Sequence, residues 1–585
     1  MKPILSRLLL ALAAGTLLSC QPDNAPPASA TPSPTQGQTA AVNVAKPVAA
    51  AALQPLAANW WQDAVVYQIW PRSFADSDAD GHGDFAGIQS RLPYLAELGV
   101  DAIWLTPVFE APSYHGYDFT EFYQVEADYG SMAQFEQLIQ AASSKNIKVI
   151  LDLVINHISD QHDWFQRSAK GEAPYRDYFI WRTELPTDGW GPAWDSTKTD
   201  PKAVWHYHPQ RKQYYYGAFG PSQPDLDLTQ SAVVAEMKKM AKFWLDKGVA
   251  GFRLDAVRYA IENGPGQQAD TAQTQAYWQD FSSFVRSVQP NALLVGEAWA
   301  DLPVAASYYG DGKGLAAGFD FEFGYQVLAL LQGDAGVKAE FGTMQQGTAT
   351  GEQQLLQQNY LKRLATKVPL GYFSPFLTNH DQPRIGYQLA GNQAKAKLAA
   401  AMLLSSPGTS YLYYGEEIGL SQASDAEHIQ RRAPMLWDSS AQGGFTKAPQ
   451  AWVQSGTLFP PQQSTDWWPA FLASQLSAGV TVADQQAQPQ SLWRLYQLLL
   501  QLKKTRPEFG VAGSYQAEQL AGTSLLQISR AFATAQTLML FNVSAQPQQL
   551  PKALLDSTDW QVLWHEGDPA STTLGPWQLR IMQRQ

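Results

Sequence analysis

Between Trp61 and about Arg506, short β-rich runs alternate with helical patterns and polar residues cluster just after the apolar runs. The span is also long enough for eight repeats, and together these features predict an α/β fold of the (β/α)8 TIM-barrel type. The runs are Val65 to Ile69, Ala102 to Leu105, Val149 to Val154, Gly251 to Asp255, Leu293 to Glu297 and Phe376 to Asn379. A doubly wound sheet would alternate in the same way, but no Gly-rich nucleotide turn follows the first run. Residues 158–224 break the pattern with a stretch rich in Trp and Tyr, including Trp164, Trp181, Trp190, Trp205 and Tyr214 to Tyr216. We read it as a subdomain inserted after the third strand. From 508 to 585 the runs Ser524 to Ile528, Thr537 to Val543, Trp560 to Trp564 and Trp577 to Ile581 alternate with period two. That period predicts an antiparallel β-sandwich domain at the C-terminal end.

Residues 1–20, MKPILSRLLLALAAGTLLSC, join a positive start at Lys2 and Arg7 to an apolar stretch. The stretch falls short of the roughly 20 apolar residues that span hydrocarbon, so it reads as an export signal. Leu17, Leu18, Ser19 and Cys20 resemble the bacterial lipobox, which implies a lipidated Cys20 and an exported bacterial lipoprotein on the periplasmic side or the cell surface. Its only link to a membrane would be that anchor. Residues 21–58 are Pro, Ala, Thr, Ser and Gln with Asp23 and Lys46 as their charges, and they read as a tether. The barrel domain is then 59–507. Cys20 is the single cysteine, so packing and bound ions, rather than an intrachain disulfide, stabilise the fold. Hydrophobic residues at 45% and charged residues at 16% exclude a disordered chain, and a net charge of −12 disfavours nucleic acid as a partner. Oligomeric state leaves no mark in the sequence.

Four strand ends carry the chemistry: Asp152 to His157, Arg253-Leu-Asp255, Glu297, and His380-Asp381. If they converge as in a barrel, three carboxylates and two imidazoles share one pocket. Glycosidic hydrolysis needs one carboxylate to attack the anomeric carbon and one protonated carboxyl to donate to the departing oxygen. Arg253, two residues before Asp255 on an extended strand, faces the same way and can hold that carboxylate ionised. In order, the segments Asp152 to His157, Gly251-Phe-Arg253-Leu-Asp255, Gly296-Glu297 and Thr378-Asn379-His380-Asp381 resemble the signature regions of the α-amylase family, glycoside hydrolase family 13. Gln68 to Phe74, His115 to Asp118, Gln223 to Leu226, Tyr413 to Glu417 and Arg432 to Trp437 support the likeness.

The resemblance implies Asp255 as nucleophile, Glu297 as general acid and base, and Asp381 as the carboxylate gripping the distorted sugar. It implies His157, His380, Tyr117, Asp118 and Arg384 as substrate contacts, with Arg253 orienting Asp255. Asp76, Asp78, Asp80 and Asp84, spaced around a Gly turn, suit an oxygen-rich Ca²⁺ loop. They resemble the structural calcium loop of oligo-1,6-glucosidases, in which His82 gives its backbone carbonyl. Gln223-Pro-Asp225-Leu226 resembles that same branch. Tyr114, however, stands where its exo-acting members carry an Asp, and this favours an α-amylase-like hydrolase of α-1,4-glucans or maltooligosaccharides. An α-glucosidase, an oligo-1,6-glucosidase or a glucanotransferase is the alternative within the family. A non-catalytic maltodextrin-binding lipoprotein is the alternative outside it.

Overall fold

The computed structural model describes residues 56–195, 197–332, 354–455 and 466–584. The expected signal segment and nearly all of the expected tether lie outside the described residues. Among these, no helix is long and apolar enough to cross a membrane.

Numbered along the chain, the strands begin with β1 (Val65–Ile69), β2 (Ala102–Leu105) and β3 (Lys148–Leu153). The short β4 (Trp181–Arg182), β5 (Trp205–His208) and β6 (Gln213–Tyr216) follow, then β7 (Gly251–Leu254), β8 (Leu293–Gly296), β9 (Ala317–Asp320), β10 (Phe373–Pro375) and β11 (Ser410–Tyr413). β1, β2, β3, β7, β8, β9 and β10 pair in that order, all parallel, and β11 pairs with β1. A single parallel bridge between Phe376 and Tyr411 joins β10 to β11 and closes the barrel. β4, β6 and β5 form the antiparallel sheet of the insert between β3 and β7.

Two strands, β9 and β11, escaped the sequence reading. Ala317–Asp320 is four residues with an internal Gly, and Ser410–Tyr413 follows the apolar helix Gln393–Ser405 so closely that periodicity does not separate them. β10 lies ahead of the expected Phe376 to Asn379; past Phe376 the chain leaves the sheet and becomes the loop that carries His380 and Asp381.

Period two along each strand sorts the side chains. Val66, Ala102, Trp104, Ile150, Leu293, Val295, Ala317, Phe319 and Tyr411 form one buried apolar cluster drawn from strands all round the barrel. Their neighbours Val65, Tyr67, Ile103, Val149, Leu151, Phe252 and Leu294 pack instead into the larger core with the surrounding helices. The inward parity continues along β1, β3 and β7 into Gln68, Asp152 and Arg253, so a polar layer sits on the apolar one toward the C-terminal strand ends. β7 and β8 approach so closely at Gly251 (φ 149°) that a Cβ there would come within 2.1 Å of the Leu293 carbonyl oxygen.

Beyond the barrel, β12 (Ser514–Gln519), β13 (Leu525–Phe532), β14 (Ala535–Asn542), β18 (Leu579–Arg584) and β16 (Gln561–His565) form an antiparallel sheet in that order. β15 (Gln548–Gln549) pairs with β17 (Thr573–Leu574) in a second, two-stranded sheet. The large sheet is apolar on both faces. Leu526, Ile528, Met539, Phe541 and Ile581 join the barrel core, while Leu525, Leu538, Leu540 and Met582 pack with Leu550 and Leu574 of the small sheet.

Candidate active site

β3 and β7 pair with Asp152 directly opposite Arg253, which sets an acid and a base side by side inside the barrel. Arg253 is 1% exposed. Its Nη1 donates to Asp152 Oδ1 at 2.8 Å and to Asp255 Oδ1 at 2.6 Å, and its Nη2 lies 2.7 Å from Glu297 Oε1. One guanidinium therefore gathers carboxylates from three consecutive barrel strands, each through a single nitrogen–oxygen contact, which its several N–H donors allow. After Asp255 the chain enters the left-handed region at Ala256 (φ 51°, ψ 35°), whose amide donates to Glu297 Oε2 at 3.4 Å. Burial pushes the Glu297 carboxyl up to about 7; Arg253 opposes the shift, and the negative charges of Asp255 and Asp381 add to it. Burial also raises Asp255 and lifts Asp152 to about 7, with Arg253 opposing in both cases.

The loop after β10 brings His380 and Asp381 to the same place. Gln68 Nε2 donates to His380 Nδ1 at 2.7 Å, so Nε2 carries the ring proton, and that nitrogen lies 3.0 Å from Asp381 Oδ2 and 2.5 Å from the Tyr117 hydroxyl. The Tyr117 ring stacks on His380 at 5.4 Å and its hydroxyl donates to Asp152 Oδ2 at 3.0 Å, which links the two groups of carboxylates. Arg432 Nη2 donates to Asp381 Oδ1 at 3.0 Å. Burial works to raise Asp381, but His380 and Arg432 outweigh it and hold the carboxyl well below its ordinary range. The site thus holds one acid held ionised, Asp381, beside one poised near neutrality, Glu297.

His157 reaches this network through Gln223, whose Nε2 lies 3.1 Å from His157 Nε2. Burial lowers His157 to about 3, so the ring is neutral. Asp118 stands apart: it is buried and accepts from the Ser113 hydroxyl, which braces its own loop. Arg384 also departs from expectation. Its guanidinium is buried over the rings of Tyr413 and Tyr414 and donates to the carbonyls of Arg431 and Tyr414 at 2.8 and 2.7 Å, so the arginine on Asp381 is Arg432. Tyr114, at the position of the missing Asp, accepts from Arg432 Nη1 at 3.0 Å. Asn156 donates to Asp225 Oδ2 at 2.9 Å, which ties the loop after β3 to the end of the insert.

Residues 68–510 match the model of the α-amylase catalytic domain. The chain belongs to the α-amylase family. It is 34% identical over 447 residues to α-amylase 3 of Dictyoglomus thermophilum, covering 76% of this chain and 77% of that one. It is 28% identical to the oligo-1,6-glucosidase of Bacillus cereus over 90% of this chain and 99% of the other. Among solved structures, the α-amylase of H. orenii superposes with a TM-score of 0.72 at 29% identity, covering 90% of this chain and all of that one. This α-amylase-family protein is a glycoside hydrolase.

In the acidic loop of this glycoside hydrolase, one oxygen from each of Asp76, Asp78 and Asp84 lies within 4.8 Å of the others. Oxygens 2.3–2.6 Å from a common Ca²⁺ stand at most about 5.2 Å apart, so the three carboxylates fit that ion. Asp80 does not join them; its Oδ1 accepts from the His82 amide at 2.7 Å. The His82 ring turns to Arg72, 2.6 Å away, and toward Asp128. Asp84 has a second duty, capping the helix Phe85–Leu98 through the Gly87 amide.

Four residues that complete the site were quoted only as parts of motifs: Gln68, Asp152, Gln223 and Arg432. Asp152 was the most accessible, since inward parity from Ile150 places it beside Arg253. Gln68 lies 312 residues from His380 and Arg432 lies 51 from Asp381, separations that no local pattern bridges.

Proposed function

We propose that this protein hydrolyses α-1,4-glucosidic bonds in starch, maltodextrins or maltooligosaccharides with retention of configuration. The observation that carries the reading is the shared hold of Arg253 on Asp255 and Glu297, one oxygen of each lying 2.6 and 2.7 Å from the two terminal nitrogens of the same guanidinium. Retaining enzymes keep the two carboxyls about 5–5.5 Å apart, whereas inverting enzymes open about 6.5–9.5 Å between them for a water.

In this reading Asp255 Oδ attacks the anomeric carbon while Glu297 gives its proton to the departing glycosidic oxygen. The products are a glycosyl ester on Asp255 and a free sugar hydroxyl. Glu297, now ionised, takes a proton from water; the resulting hydroxide attacks the same carbon and Asp255 leaves as carboxylate. Asp381 and His380 grip the sugar, His157 binds it as a neutral ring, and Tyr117 orders Asp152 and His380 beneath it. Arg253 keeps Asp255 ionised and oriented. Asp76, Asp78 and Asp84 would hold a Ca²⁺ that stiffens the loop ahead of the helix Phe85–Leu98, in a structural role away from the reaction.

Internal cleavage is favoured by Tyr114, because a neutral phenol bound by Arg432 replaces the carboxylate with which exo-acting relatives close the pocket. The oligo-1,6-glucosidase likeness supports the second reading, an exo-acting glucosidase. A maltoheptaoside blocked at its non-reducing end separates the two: release of shorter blocked products supports the amylase, and an untouched substrate beside hydrolysed isomaltose supports the glucosidase. Residues 1–20 further lead us to propose a lipid-anchored, exported protein. Cys20→Ala, followed by detergent fractionation, tests the anchor; unchanged partition would reject it.

A further inference from the structure

A second cavity of about 830 Å³ opens beside the barrel, and it contains none of Tyr117, His157, Arg253, Asp255, Glu297, His380 or Asp381. Its size falls in the range of about 300–1,000 Å³ typical of small-ligand sites. Four amides, Gln332, Gln388, Gln393 and Gln475, converge on it from four different helices, together with the ring of Tyr387. Tyr387 is 37% exposed, one of the few large aromatic or aliphatic side chains so open among the described residues.

The chemistry of the lining selects its ligand. No Lys or Arg is among the lining residues, which disfavours phosphate or carboxylate groups. The one carboxylate, Asp425, is compensated: its Oδ1 accepts from Arg431 Nη2 at 2.9 Å, Arg431 Nε at 3.1 Å and Gln422 Nε2 at 3.1 Å, so a cation gains little there. What remains is a set of neutral amides around an apolar ring. Gln332 and Gln388 donate one N–H each to the Gln388 and Pro383 carbonyls, and Gln475 Oε1 accepts from the Ser421 amide. That leaves the second N–H and the oxygen of Gln332 and Gln388, and the Nε2 of Gln475, to meet a ligand. Sugar hydroxyls also donate and accept at once, and the flat C–H face of a pyranose covers an aromatic ring.

We propose that this cavity is an accessory oligosaccharide-binding site, which takes a segment of the same α-glucan chain that the barrel cleaves. The inference rests on the glucan reading of the active site for the identity of the sugar. The cavity also touches the catalytic loop. Pro383, in its wall, is two residues past Asp381, and Arg431 donates both to the Asp381 carbonyl and to Asp425. A glucan held here is therefore held against the loop that carries Asp381, and it keeps the enzyme on the polymer between cleavages.

The test is native electrophoresis of the full chain through gels with and without amylopectin, alongside kinetics on amylopectin and on a short chromogenic maltoside. Tyr387→Ala is expected to weaken retardation by amylopectin about five-fold, the size of one lost stacking contact, and Gln393→Ala by a similar factor, the size of one lost hydrogen bond. KM for amylopectin should rise by a similar factor while kcat/KM on the short maltoside stays within about two-fold. Retardation of both variants equal to the parent's, with melting temperatures unchanged, would overturn the site. If Tyr387→Ala melts early, Gln393→Ala decides alone. A chain retarded by amylopectin through this cavity yet inert on every α-glucan would overturn the hydrolase reading and leave the accessory site standing. A chain that cleaves amylopectin but whose variants are retarded alike would do the reverse.

Discussion

Two buried carboxyl clusters sit at the C-terminal strand ends of one barrel, and they are built oppositely. Around Arg253, three acids share one guanidinium, and Asp255 and Glu297 keep slight exposure, their side chains 10% and 12% open. After β11, Glu416 and Glu417 are closed off entirely, and their partners are phenols. Tyr496 donates to Glu416 Oε1 at 2.6 Å, and Tyr67 and Tyr94 donate to Glu417 Oε1. Burial lifts Glu416 to about 8 and raises Glu417 as well; Arg384 acts against both shifts, while its Nε and Nη1 donate to backbone carbonyls. A phenol stabilises a carboxylate less than a cation does, and both carboxyls of this second cluster are pushed toward the protonated form. The same residue type at the same kind of position becomes reactive or inert according to whether an arginine faces it and whether a substrate can reach it.

The largest effect that would sharpen the contrast is chemical. Asp255→Asn and Glu297→Gln are each expected to lower kcat on maltooligosaccharides by about 10⁴-fold with the melting temperature kept, whereas Glu416→Gln should leave kcat within about two-fold. Turnover by Glu297→Gln equal to the parent's would dissolve the distinction. Next in size is Arg253→Met, which strands three acids without their shared cation and should cost about 3–5 kcal/mol in a denaturant titration at pH 7. An unchanged midpoint would mean that the acids are neutral in the fold.

The two clusters also differ in pH response. Glu297 must be protonated to donate, and with its carboxyl near 7, kcat/KM should fall about tenfold per unit above that pH. A profile flat to pH 9 would remove Glu297 from that role. For Glu416 the effect is on stability. Its folded value of about 8 exceeds the ordinary 4.5, so the folded state holds the extra proton between those values. Stability is then fully present below about pH 4.5 and declines as pH rises toward 8. Glu416→Gln should match the parent near pH 5 and melt higher near pH 8; equal melting at both would show that Glu416 ionises freely in the fold.

The smallest effect concerns the acidic loop. Asp76, Asp80 and Asp84 all act to raise Asp78, after burial, so Asp78→Asn without a bound ion should relieve repulsion and leave melting equal or higher. With Ca²⁺ between Asp76, Asp78 and Asp84, the same change should lower melting and abolish its dependence on added calcium. Melting scans with Ca²⁺ and with chelator read the sign directly.

Much of this was legible beforehand. Short β-rich runs located five barrel strands and fell just past the sixth, because a strand that packs on both faces carries apolar residues whatever surrounds it. Gly251-Phe-Arg253-Leu-Asp255 even states the relation of Arg253 to Asp255, since two residues on an extended strand share a face. Arg384 shows where such reasoning stops. The family resemblance implied a role for it at the sugar, yet the short helix Ile385–Gln388 that follows turns it to the Tyr413 and Tyr414 rings. Asp118 was drawn into its own loop by Ser113 in the same way.

What the sequence determined by itself is local: strand parity, the spacing of acids around a glycine turn, and the set of side chains able to perform acid, base and nucleophilic steps. Only the tertiary structure decided which of those acids meet. The register that sets β3 against β7 puts Asp152 opposite Arg253, and barrel closure delivers Gln68 and Arg432 to His380 and Asp381. Charge state follows from that meeting, because a carboxyl's proton depends on how much water and which cation lie within a few ångströms, and those neighbours come from distant parts of the chain.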